Sequence, residues 1–366
     1  MKLLFCIPLM CGGGAERVMA LLCNGLSARG HEVVLATDTK QESFYSLDKK
    51  IRLVSLYPDL APGGNIFRKI YYNLFLLYPK IRTVIKKEKP DVIISFLYIL
   101  NPKVILASRF LNIPVVSCEH TNFINNRTWL KTIRRVYINK LADKVTVLTQ
   151  RDFDLLKGKL NNMEIMPNPI SFPVCNVFNV FRKKVVLAVG NLNAYEGKGF
   201  LGLIKAWSSI ASKNKDWTLC IAGRGGEKSM YILRNLIEEC KLESQVKLLG
   251  EIKDIELLYR TSTIFVLSSK NEGLPMVLME AMSQGCACVS FDISTGPREI
   301  IDDGVDGILV KENDFGELME KIEWLISDEE MCRKLGEKAM LSMNRYSLPV
   351  ILDKWESLLS GVRNEN

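Results

Sequence analysis

The feature of this sequence that most constrains its fold is an alternation of short β-branched runs with longer amphipathic segments, present in both halves of the chain. Runs such as Val92–Phe96 are apolar almost throughout, as is typical of parallel strands covered on both faces. The pieces between them, for example 15–29 and 101–111, repeat apolar residues with helical periodicity. Each half is therefore predicted to be a doubly wound α/β domain. The predicted strands are 2–9, 32–37, 52–56, 91–96, 115–118 and 144–148 in the first half and 184–189, 217–222, 246–249, 263–267, 287–291 and 307–310 in the second.

A proline-containing break separates the two patterns. Pro167 and Pro169 open a stretch with another proline and little periodicity, which is typical of a linker. Two Rossmann-like domains that face each other across a cleft would bind a ligand there, at the carboxyl ends of their strands. The predicted parts are an N-terminal domain at 1–172, a linker at 173–183, a C-terminal domain at 184–345 and a final helix at 346–366 that packs back on the N-terminal domain.

Cysteine placement and hydropathy restrict the compartment and the kind of site. Several of the ten cysteines lie in apolar runs, and Cys286 and Cys288 form a C-x-C pair without the spacing of a zinc site. We expect free thiols in a reducing compartment and no metal site. Residues 1–10 have the pattern of a buried first strand, and no apolar run reaches the roughly 20 residues that a membrane span needs. The sequence therefore predicts a cytoplasmic protein.

Charge is divided unevenly between the two halves. Residues 1–172 contain 25 Lys and Arg against 13 Asp and Glu, a net charge of +12, and residues 173–366 contain 24 against 28, a net charge of −4. The basic half should face something anionic, either nucleic acid or a lipid surface. No recognised nucleic-acid-binding motif accompanies the charge, so we predict no nucleic-acid partner.

The most specific local pattern follows the predicted strand 263–267. A turn at Glu272 and Gly273 precedes a helix that Pro275 can begin and Gly285 can end. The N-terminus of such a helix is an anion site. Glu280 lies about 80° from Glu272 around the helix axis, so the two carboxylates could hold separate hydroxylated groups on either side of a diphosphate. The alternative is two solvated glutamates on a surface helix.

These residues resemble the Glu-x7-Glu motif of the family 4 retaining glycosyltransferases. The motif is Glu272-Gly-Leu-Pro-x4-Glu280-Ala-Met, and the similarity continues in order through nearly the whole chain. It implies the GT-B fold, with two facing Rossmann-like domains. The flanking segments that share it are Gly12-Gly-Gly-Ala-Glu-Arg17, Ala28-Arg-Gly-His-Glu-Val33, Gly190-Asn-Leu192, Gly197-Lys-Gly199, Thr295-Gly-Pro-Arg-Glu-Ile-Ile301 and Gly304-x-x-Gly307.

The resemblance implies a role for each matching residue. Glu272 would bind the hydroxyls of the donor sugar and Glu280 those of the ribose, while Lys198 would neutralise the diphosphate. His120 would lie beside the transferred sugar, although a histidine after an apolar strand can also be purely structural. The implied catalytic residues are therefore His120, Lys198 and Glu272. Backbone contacts to the phosphates are implied for Gly273 and Leu274 and, from the other domain, for Gly13 and Gly14, whose alternative role is tight packing.

One residue departs from the family pattern. Asn191 stands where the family usually has an arginine that shares the charge of the diphosphate with the lysine. Either Arg224 takes over this role, or Asn191 hydrogen-bonds instead. In the mechanism that the resemblance implies, the departing phosphate oxygen takes the acceptor's proton on the same face of the sugar. The protein then positions the reactants and stabilises charge, without a metal or another cofactor.

The segment 66–89 combines basic residues with the aromatic residues Phe67, Tyr71, Tyr72, Phe75 and Tyr78, and Pro79 is expected to kink or divide it. This composition is typical of a helix that lies on an anionic membrane surface. The alternative is a helix packed on the sheet with a solvated basic edge. The cations assigned to the membrane and acceptor surface are Arg68, Lys69, Lys80, Arg82, Lys86 and Lys87.

The resulting functional hypothesis is transfer of a hexose or N-acetylhexosamine from a nucleotide diphosphate sugar. Family resemblance implies a UDP-sugar donor and an isoprenoid diphosphate-linked saccharide acceptor, used in surface polysaccharide or O-antigen assembly at the inner face of the cytoplasmic membrane. One alternative is an NAD-type oxidoreductase. Asp38 and the glycines at 12–14, just before the predicted helix 15–29, are loosely similar to the pattern of a dinucleotide-binding fold, although the glycine spacing is not G-x-G-x-x-G. Another is a catalytically weakened, membrane-bound binding subunit, which the missing arginine would suit.

Overall fold

The computed structural model describes residues 1–58, 65, 68, 71–120, 134–176 and 181–364. The chain forms two compact units, and each has a sheet of its own. The first unit combines Met1–Ser171 with Leu348–Asn366, and the second is Phe172–Ser347. The two ends of the chain therefore belong to the same unit.

A seven-stranded parallel sheet forms the centre of the first unit. Its strands are β1 (Lys2–Cys6), β2 (Glu32–Thr37), β3 (Arg52–Ser55), β4 (Val92–Phe96), β5 (Val115–Cys118), β6 (Lys144–Val147) and β7 (Met163–Ile165). They lie in the order β3-β2-β1-β4-β5-β6-β7, so the direction of winding reverses between β1 and β4. Leu3, Leu4 and Phe5 of β1 are completely buried, as a strand with helices on both faces requires.

Helices connect these strands in the first unit. They are α1 (Gly14–Ala28), α2 (Tyr78–Glu88), α3 (Asn101–Ser108) and α4 (Gln150–Leu156), with π-helical turns at Tyr72–Leu77 and Arg134–Ile138 and a 3-10 turn at Asn139–Leu141. The π-helical turn at Tyr72–Leu77 runs directly into α2, and Pro79 lies in the first turn of α2. Proline is tolerated there because the first helical N–H groups have no intrahelical partner.

The second unit contains a six-stranded parallel sheet. Its strands are β8 (Lys183–Val189), β9 (Thr218–Ala222), β10 (Val246–Gly250), β11 (Ser262–Leu267), β12 (Ala287–Asp292) and β13 (Ile308–Lys311). Their order is β10-β9-β8-β11-β12-β13, and the winding reverses between β8 and β11. The prediction of two doubly wound, Rossmann-like α/β domains is confirmed.

The helices of the second unit follow its strands. They are α5 (Phe200–Ala211), α6 (Glu227–Glu239), α7 (Ile255–Thr261), α8 (Met276–Ser283), α9 (Pro297–Ile300), α10 (Phe315–Ser327) and α11 (Glu329–Met343), with 3-10 turns at Leu192–Ala194 and Asn344–Tyr346. Residues of the expected linker are bound to this unit. The Cys175 N–H donates to Ser283, and the Arg182 guanidinium donates to the carbonyls of Ser262 and Gln284.

The last helix, α12 (Leu348–Asn364), packs against α1 of the first unit. Trp355 is among its buried side chains, and Leu352 lies so close to Gly25 that a Cβ there would be 2.6 Å from Leu352 Cδ1. Arg29 forms ion pairs with Asp353 and Glu356 at 2.7 Å. Apolar burial supplies most of the stabilisation, because exposed ion pairs contribute at most about 1 kcal/mol each.

The described residues contain no helix that combines the length and the apolar character needed to cross a membrane. All ten cysteines are free. Among the same residues, no group of three or more His, Cys, Asp or Glu side chains is arranged to hold a metal ion.

Candidate active site

Two loops meet where the winding of the second sheet reverses, after β8 and after β11. The Lys270 N–H donates to the Gly197 carbonyl at 2.9 Å, and Ser268 Oγ donates to the Lys198 carbonyl at 2.9 Å. Gly199 has a φ of +70°, and a Cβ there would lie 2.0 Å from the Ser268 carbonyl oxygen. Only glycine allows this approach, so the sequence Gly197-Lys-Gly199 places Lys198 at the end of β11.

Lys198 and Glu272 form an ion pair across these loops. Lys198 Nζ lies 2.6 Å from Glu272 Oε1, and the two side chains are 23% and 14% exposed. Thr295 Oγ1 donates to the Glu272 carbonyl at 2.6 Å, which fixes the backbone of the turn. Two residues predicted to bind the donor are therefore brought together, and both are too enclosed to be ordinary solvated surface charges.

The turn before α8 contains Gly273 and Leu274, the residues predicted to contact the phosphates. Gly273 and Leu274 precede Pro275, which has no side chain able to cap the helix. The first N–H groups of a helix have no intrahelical acceptor, and the helix dipole makes this end positive. Gly296 approaches the turn so closely that a Cβ there would be 2.6 Å from the Gly273 carbonyl oxygen. The turn is thus held tightly by a neighbouring loop.

Glu280 occupies a different environment from Glu272. It lies within α8 and is 2% exposed, and its Oε2 accepts a hydrogen bond from Tyr259 Oη at 3.0 Å. Its burial excludes the alternative of a solvated surface glutamate. Tyr259 was missed from the sequence, because it lies in the preceding helix with no local pattern that connects it to Glu280.

The loops after β8 and β9 are joined by asparagines. Asn191 Oδ1 accepts from the Asn193 N–H at 2.9 Å, which caps the 3-10 turn at Leu192–Ala194. Asn193 Oδ1 in turn accepts from the Gly226 N–H at 2.8 Å and from Ser229 Oγ at 2.9 Å. Asn193 was not identified from the sequence, although it determines how the two loops meet.

Arg224 lies in the second of these loops with its guanidinium exposed. Its carbonyl accepts from the Leu192 N–H at 2.8 Å, so the backbone is tied to the loop that carries Asn191. Within the described part of the chain, its side chain has no hydrogen bond or ion pair. The geometry therefore leaves the Arg224 charge available, while the oxygen of the Asn191 amide is occupied.

In the first unit, Gly13 and Gly14 lie at the exposed start of α1. Gly13 precedes the helix without a side-chain cap, and its carbonyl accepts from Tyr45 Oη at 3.2 Å. A Cβ on Gly13 would come within 2.3 Å of Glu16 Oε2, so the Glu16 carboxylate folds back over the positive end of the helix. Glu16 was not singled out from the sequence.

His120 follows β5 and packs on Phe96, with 4.1 Å between the ring centroids. Its Nδ1 is buried and has no hydrogen-bond partner within the described residues. Burial lowers the pKa of His120 to about 3, although a hydrogen bond with Asn168 opposes the shift. The ring is therefore neutral at pH 7, and it can exchange hydrogen bonds with a ligand but cannot supply positive charge.

A buried ion pair fixes the residue before His120. Glu119 Oε2 accepts from the Arg135 guanidinium at 2.7 Å, and Glu119 Oε1 accepts from Asn139 Nδ2 at 3.0 Å. Glu119 and Arg135 are both almost completely buried. Breaking such a pair leaves an uncompensated buried charge, which costs about 3–5 kcal/mol. This network was not found from the sequence.

The aromatic residues of the segment 66–89 divide between core and surface. Tyr72 is buried in the first unit, contrary to its expected place at a membrane surface, whereas Tyr71, Leu74 and Phe75 are 58%, 53% and 63% exposed. The Tyr71 and Phe75 rings stack with their centroids 5.1 Å apart. Four residues near the N-terminal end of the segment lie outside the described residues: Ile66, Phe67, Lys69 and Ile70.

The cations of this segment also differ in their surroundings. Arg68, Lys86 and Lys87 are exposed, and Lys80 is partly buried. Arg82 Nη1 instead donates to the carbonyls of Ala107 and Arg109 at 2.8 Å, at the end of α3. Arg82 is thus engaged in holding α3 against α2.

The chain is similar in sequence and in fold to known proteins. Residues 12–172 match the family model described as Glycosyltransferase Family 4, and residues 178–341 match Glycosyl transferases group 1. The amylovoran biosynthesis glycosyltransferase AmsD of Erwinia amylovora is 30% identical over 361 residues, which cover 95% of this chain and 96% of the relative.

A Campylobacter jejuni enzyme is 29% identical over 373 residues, covering 100% of this chain and 99% of the relative. It is named GalNAc-alpha-(1->4)-GalNAc-alpha-(1->3)-diNAcBac-PP-undecaprenol alpha-1,4-N-acetyl-D-galactosaminyltransferase. The crystal structure of Anabaena HepE in complex with UDP superposes with a TM-score of 0.79 at 18% identity, covering 99% of this chain and 100% of that one.

The fold and the matching residues define a glycosyltransferase of the GT-B class. The chain belongs to the family 4 glycosyltransferases, with a group 1 domain in its second unit. It is therefore a glycosyltransferase, and the oxidoreductase alternative is wrong.

Proposed function

We propose that this glycosyltransferase moves a hexose or N-acetylhexosamine from a UDP-sugar to an isoprenoid diphosphate-linked saccharide during surface polysaccharide assembly. The observation that carries the proposal is the Lys198–Glu272 pair at the end of the second sheet. Support for the donor comes from the UDP in the HepE complex, and support for the acceptor from the undecaprenol in the name of the Campylobacter relative. AmsD supports a role in polysaccharide synthesis.

In this proposal, Lys198 and Glu272 each bind a part of the donor in place of binding each other. The diphosphate becomes the ligand of Lys198, and the hydroxyls of the sugar donate to the Glu272 carboxylate. Hydrogen bonds to charged groups contribute about 1.5–3 kcal/mol each, so the exchange replaces one strong contact with several. Glu280 accepts from the ribose, and the backbone of Gly273 and Leu274 faces the phosphates at the start of α8. Gly13 and Gly14 offer another anion site at the start of α1, where the donor phosphates would take the place of the Glu16 carboxylate.

The proposed reaction retains the configuration of the anomeric carbon. The bond from C1 to the phosphate oxygen breaks, the bond from C1 to the acceptor oxygen forms on the same face, and the acceptor's proton passes to the departing phosphate oxygen. Lys198 and the exposed Arg224 stabilise the negative charge of the leaving diphosphate, which is their part in lowering the barrier. His120, neutral at pH 7, contacts the sugar through hydrogen bonds. No metal or other cofactor enters the proposed mechanism.

The lipid-linked acceptor implies work at a membrane. We propose that the first unit docks peripherally on the anionic inner face of the cytoplasmic membrane. Tyr71, Leu74 and Phe75 give an exposed apolar surface. Among the exposed cations of the same segment, Arg68 precedes these residues, and Lys86 and Lys87 follow them. Each cation close to anionic lipid contributes about 1 kcal/mol, so a few are enough for reversible binding. The net charge of +12 over residues 1–172 acts in the same direction.

Nucleotide binding tests the donor class. Calorimetry of the purified protein with UDP and with GDP should give clear binding of UDP and much weaker binding of GDP. Binding of GDP in preference to UDP would contradict the donor assignment while leaving the family unchanged. Binding without turnover, across a full panel of donors and lipid-linked acceptors, would instead favour a subunit that has lost catalysis.

A further inference from the structure

We propose that Tyr259 is a positioning residue for nucleotide binding, which orients the Glu280 carboxylate toward the ribose hydroxyls. The inference rests on the proposed role of Glu280. Tyr259 Oη lies 3.0 Å from Glu280 Oε2, and the tyrosine is completely buried. No sequence motif includes Tyr259, which lies in α7, one strand before the Glu-x7-Glu turn.

Tyr259 is itself held from several sides. Its ring packs edge-on against Phe265 of β11, with 5.9 Å between the centroids. Its backbone carbonyl accepts from Cys286 Sγ at 3.0 Å, next to the start of β12. A buried ring that is packed and tethered in this way has little freedom to rotate. The hydroxyl is therefore a fixed donor.

A fixed donor matters because the end of a glutamate side chain is otherwise loosely oriented. The last torsion of glutamate is broad and roughly two-fold, so packing alone defines the plane of the carboxylate poorly. One hydrogen bond to Oε2 sets that plane. A carboxylate has about four acceptor positions, so the bond from Tyr259 leaves capacity for ligand hydroxyls. A group oriented in advance loses less entropy when the ligand binds.

A purely structural role would be that the bond merely satisfies two buried polar groups. Both roles lead us to expect a lower Tm when the hydroxyl is removed. They differ in what happens to recognition of the ribose. Only positioning requires that the enzyme lose part of its ability to distinguish UDP from 2′-deoxy-UDP, which lacks one of the two hydroxyls.

The experiment compares the affinities of wild type and Tyr259→Phe for UDP and 2′-deoxy-UDP by calorimetry. We expect wild type to prefer UDP, and Tyr259→Phe to bind UDP about three- to tenfold more weakly with little change for 2′-deoxy-UDP. If Tyr259→Phe has the same ratio of affinities for UDP and 2′-deoxy-UDP as wild type, the proposal is overturned. The effect should also vanish when Glu280→Ala is present, because Tyr259 then has nothing to orient.

Tyr346→Phe is the matched control. Tyr346 lies in the same unit, is 8% exposed and donates to the Glu299 carbonyl at 2.8 Å, so the variant also removes a largely buried hydroxyl bond. We expect a lower Tm and an unchanged affinity ratio. A shift in the ratio as large as that of Tyr259→Phe would show that the readout follows stability, and would overturn the proposal.

If wild type binds GDP and not UDP, the proposed donor fails, and the same comparison with GDP and 2′-deoxy-GDP still tests Tyr259. If Tyr259→Phe does not fold, 3-fluorotyrosine at position 259 keeps the ring and changes only the donor strength of the hydroxyl. A change in UDP affinity larger than that for 2′-deoxy-UDP supports the proposal, and equal changes overturn it.

Discussion

Lys198 Nζ lies 2.6 Å from Glu272 Oε1, so the two side chains proposed to bind the diphosphate and the sugar of the donor form an ion pair with each other. The backbone of each residue is held independently of the ion pair: Ser268 Oγ donates to the Lys198 carbonyl, and Thr295 Oγ1 donates to the Glu272 carbonyl. Loss of the ion pair therefore should not displace the loops. The consequence is that substitutions of either side chain report on the ligand more than on the fold.

The two carboxylates should affect different properties of the enzyme. Glu272→Ala is expected to remove most of the transfer activity with UDP affinity nearly intact, because the proposed partner of Glu272 is the sugar. Glu280→Ala is expected to weaken UDP binding itself. Calorimetry with UDP and a transfer assay on both variants measure this. If Glu272→Ala weakened UDP binding and Glu280→Ala left it intact, the two proposed roles would be exchanged.

Arg224 should stabilise the leaving group if it replaces the family's arginine. Arg224→Ala is expected to raise the barrier to transfer by about 2 kcal/mol, or roughly 30-fold in rate, as for loss of one charge-stabilising donor. Arg234→Ala is a suitable control, because this arginine lies farther along α6 in the same unit. A rate equal to that of wild type in Arg224→Ala would remove Arg224 from the site, and Asn191 would then be the group to test.

Docking on the membrane should depend on salt and on the end of α2. Sedimentation with anionic liposomes is expected to be strong at low salt and to weaken as salt screens the attraction. Lys86→Glu with Lys87→Glu should reduce it without changing UDP affinity, since neither lysine is among the residues proposed to bind the donor. Lys334→Glu with Lys338→Glu makes the same change of charge on exposed residues of the second unit and should have less effect. Failure of wild type to pellet at low salt would refute docking.

The low pKa of His120 has a consequence for stability. Its pKa is about 3 in the folded protein and about 6.5 in the unfolded chain, so the unfolded chain binds more protons between these values. The stability conferred by the neutral ring is complete above pH 6.5 and decreases as pH falls toward 3, by at most about 1.4 kcal/mol per pH unit. Denaturant unfolding at pH 7 and pH 5 should show that the free energy of unfolding decreases more for wild type than for His120→Gln. Equal losses would mean that His120 titrates normally.

Sequence patterns predicted most of the fold because each buried strand has its own apolar run. Within the residues that the structure describes, only the edge strand β7 (Met163–Ile165) was missed, since it has three residues and all are partly exposed. The strand β1 ends at Cys6, earlier than predicted, because the apolar run continues into a turn at Ile7 and Pro8. Such boundaries depend on hydrogen bonds to neighbouring strands, which periodicity does not show.

The site was predictable where the contacts are local and not where they join distant segments. Glu272, Gly273 and Leu274 fall within a single motif, and Lys198 precedes Gly199, whose close approach to the Ser268 carbonyl requires a glycine. Tyr259 and Asn193 act through partners on other elements, so no spacing in the sequence reveals them. Tyr72 was misassigned because aromatic composition does not distinguish the buried face of a helix from the exposed one when the helix begins with a π-helical turn.

Acceptor-dependent release of UDP is the reaction that the proposed function requires. Wild type, Glu272→Ala and Lys198→Ala are each incubated with a panel of UDP-hexoses and UDP-N-acetylhexosamines, with and without undecaprenyl diphosphate-linked oligosaccharide. Lys184→Ala is the control, because Lys184 forms an exposed ion pair with Asp216 in the same unit. We expect wild type and Lys184→Ala to release UDP from one donor only when the acceptor is present, with an α-linked product, and the other two variants to be at least about 30-fold slower. Release without acceptor, or wild-type rates in Glu272→Ala and Lys198→Ala, would contradict the account.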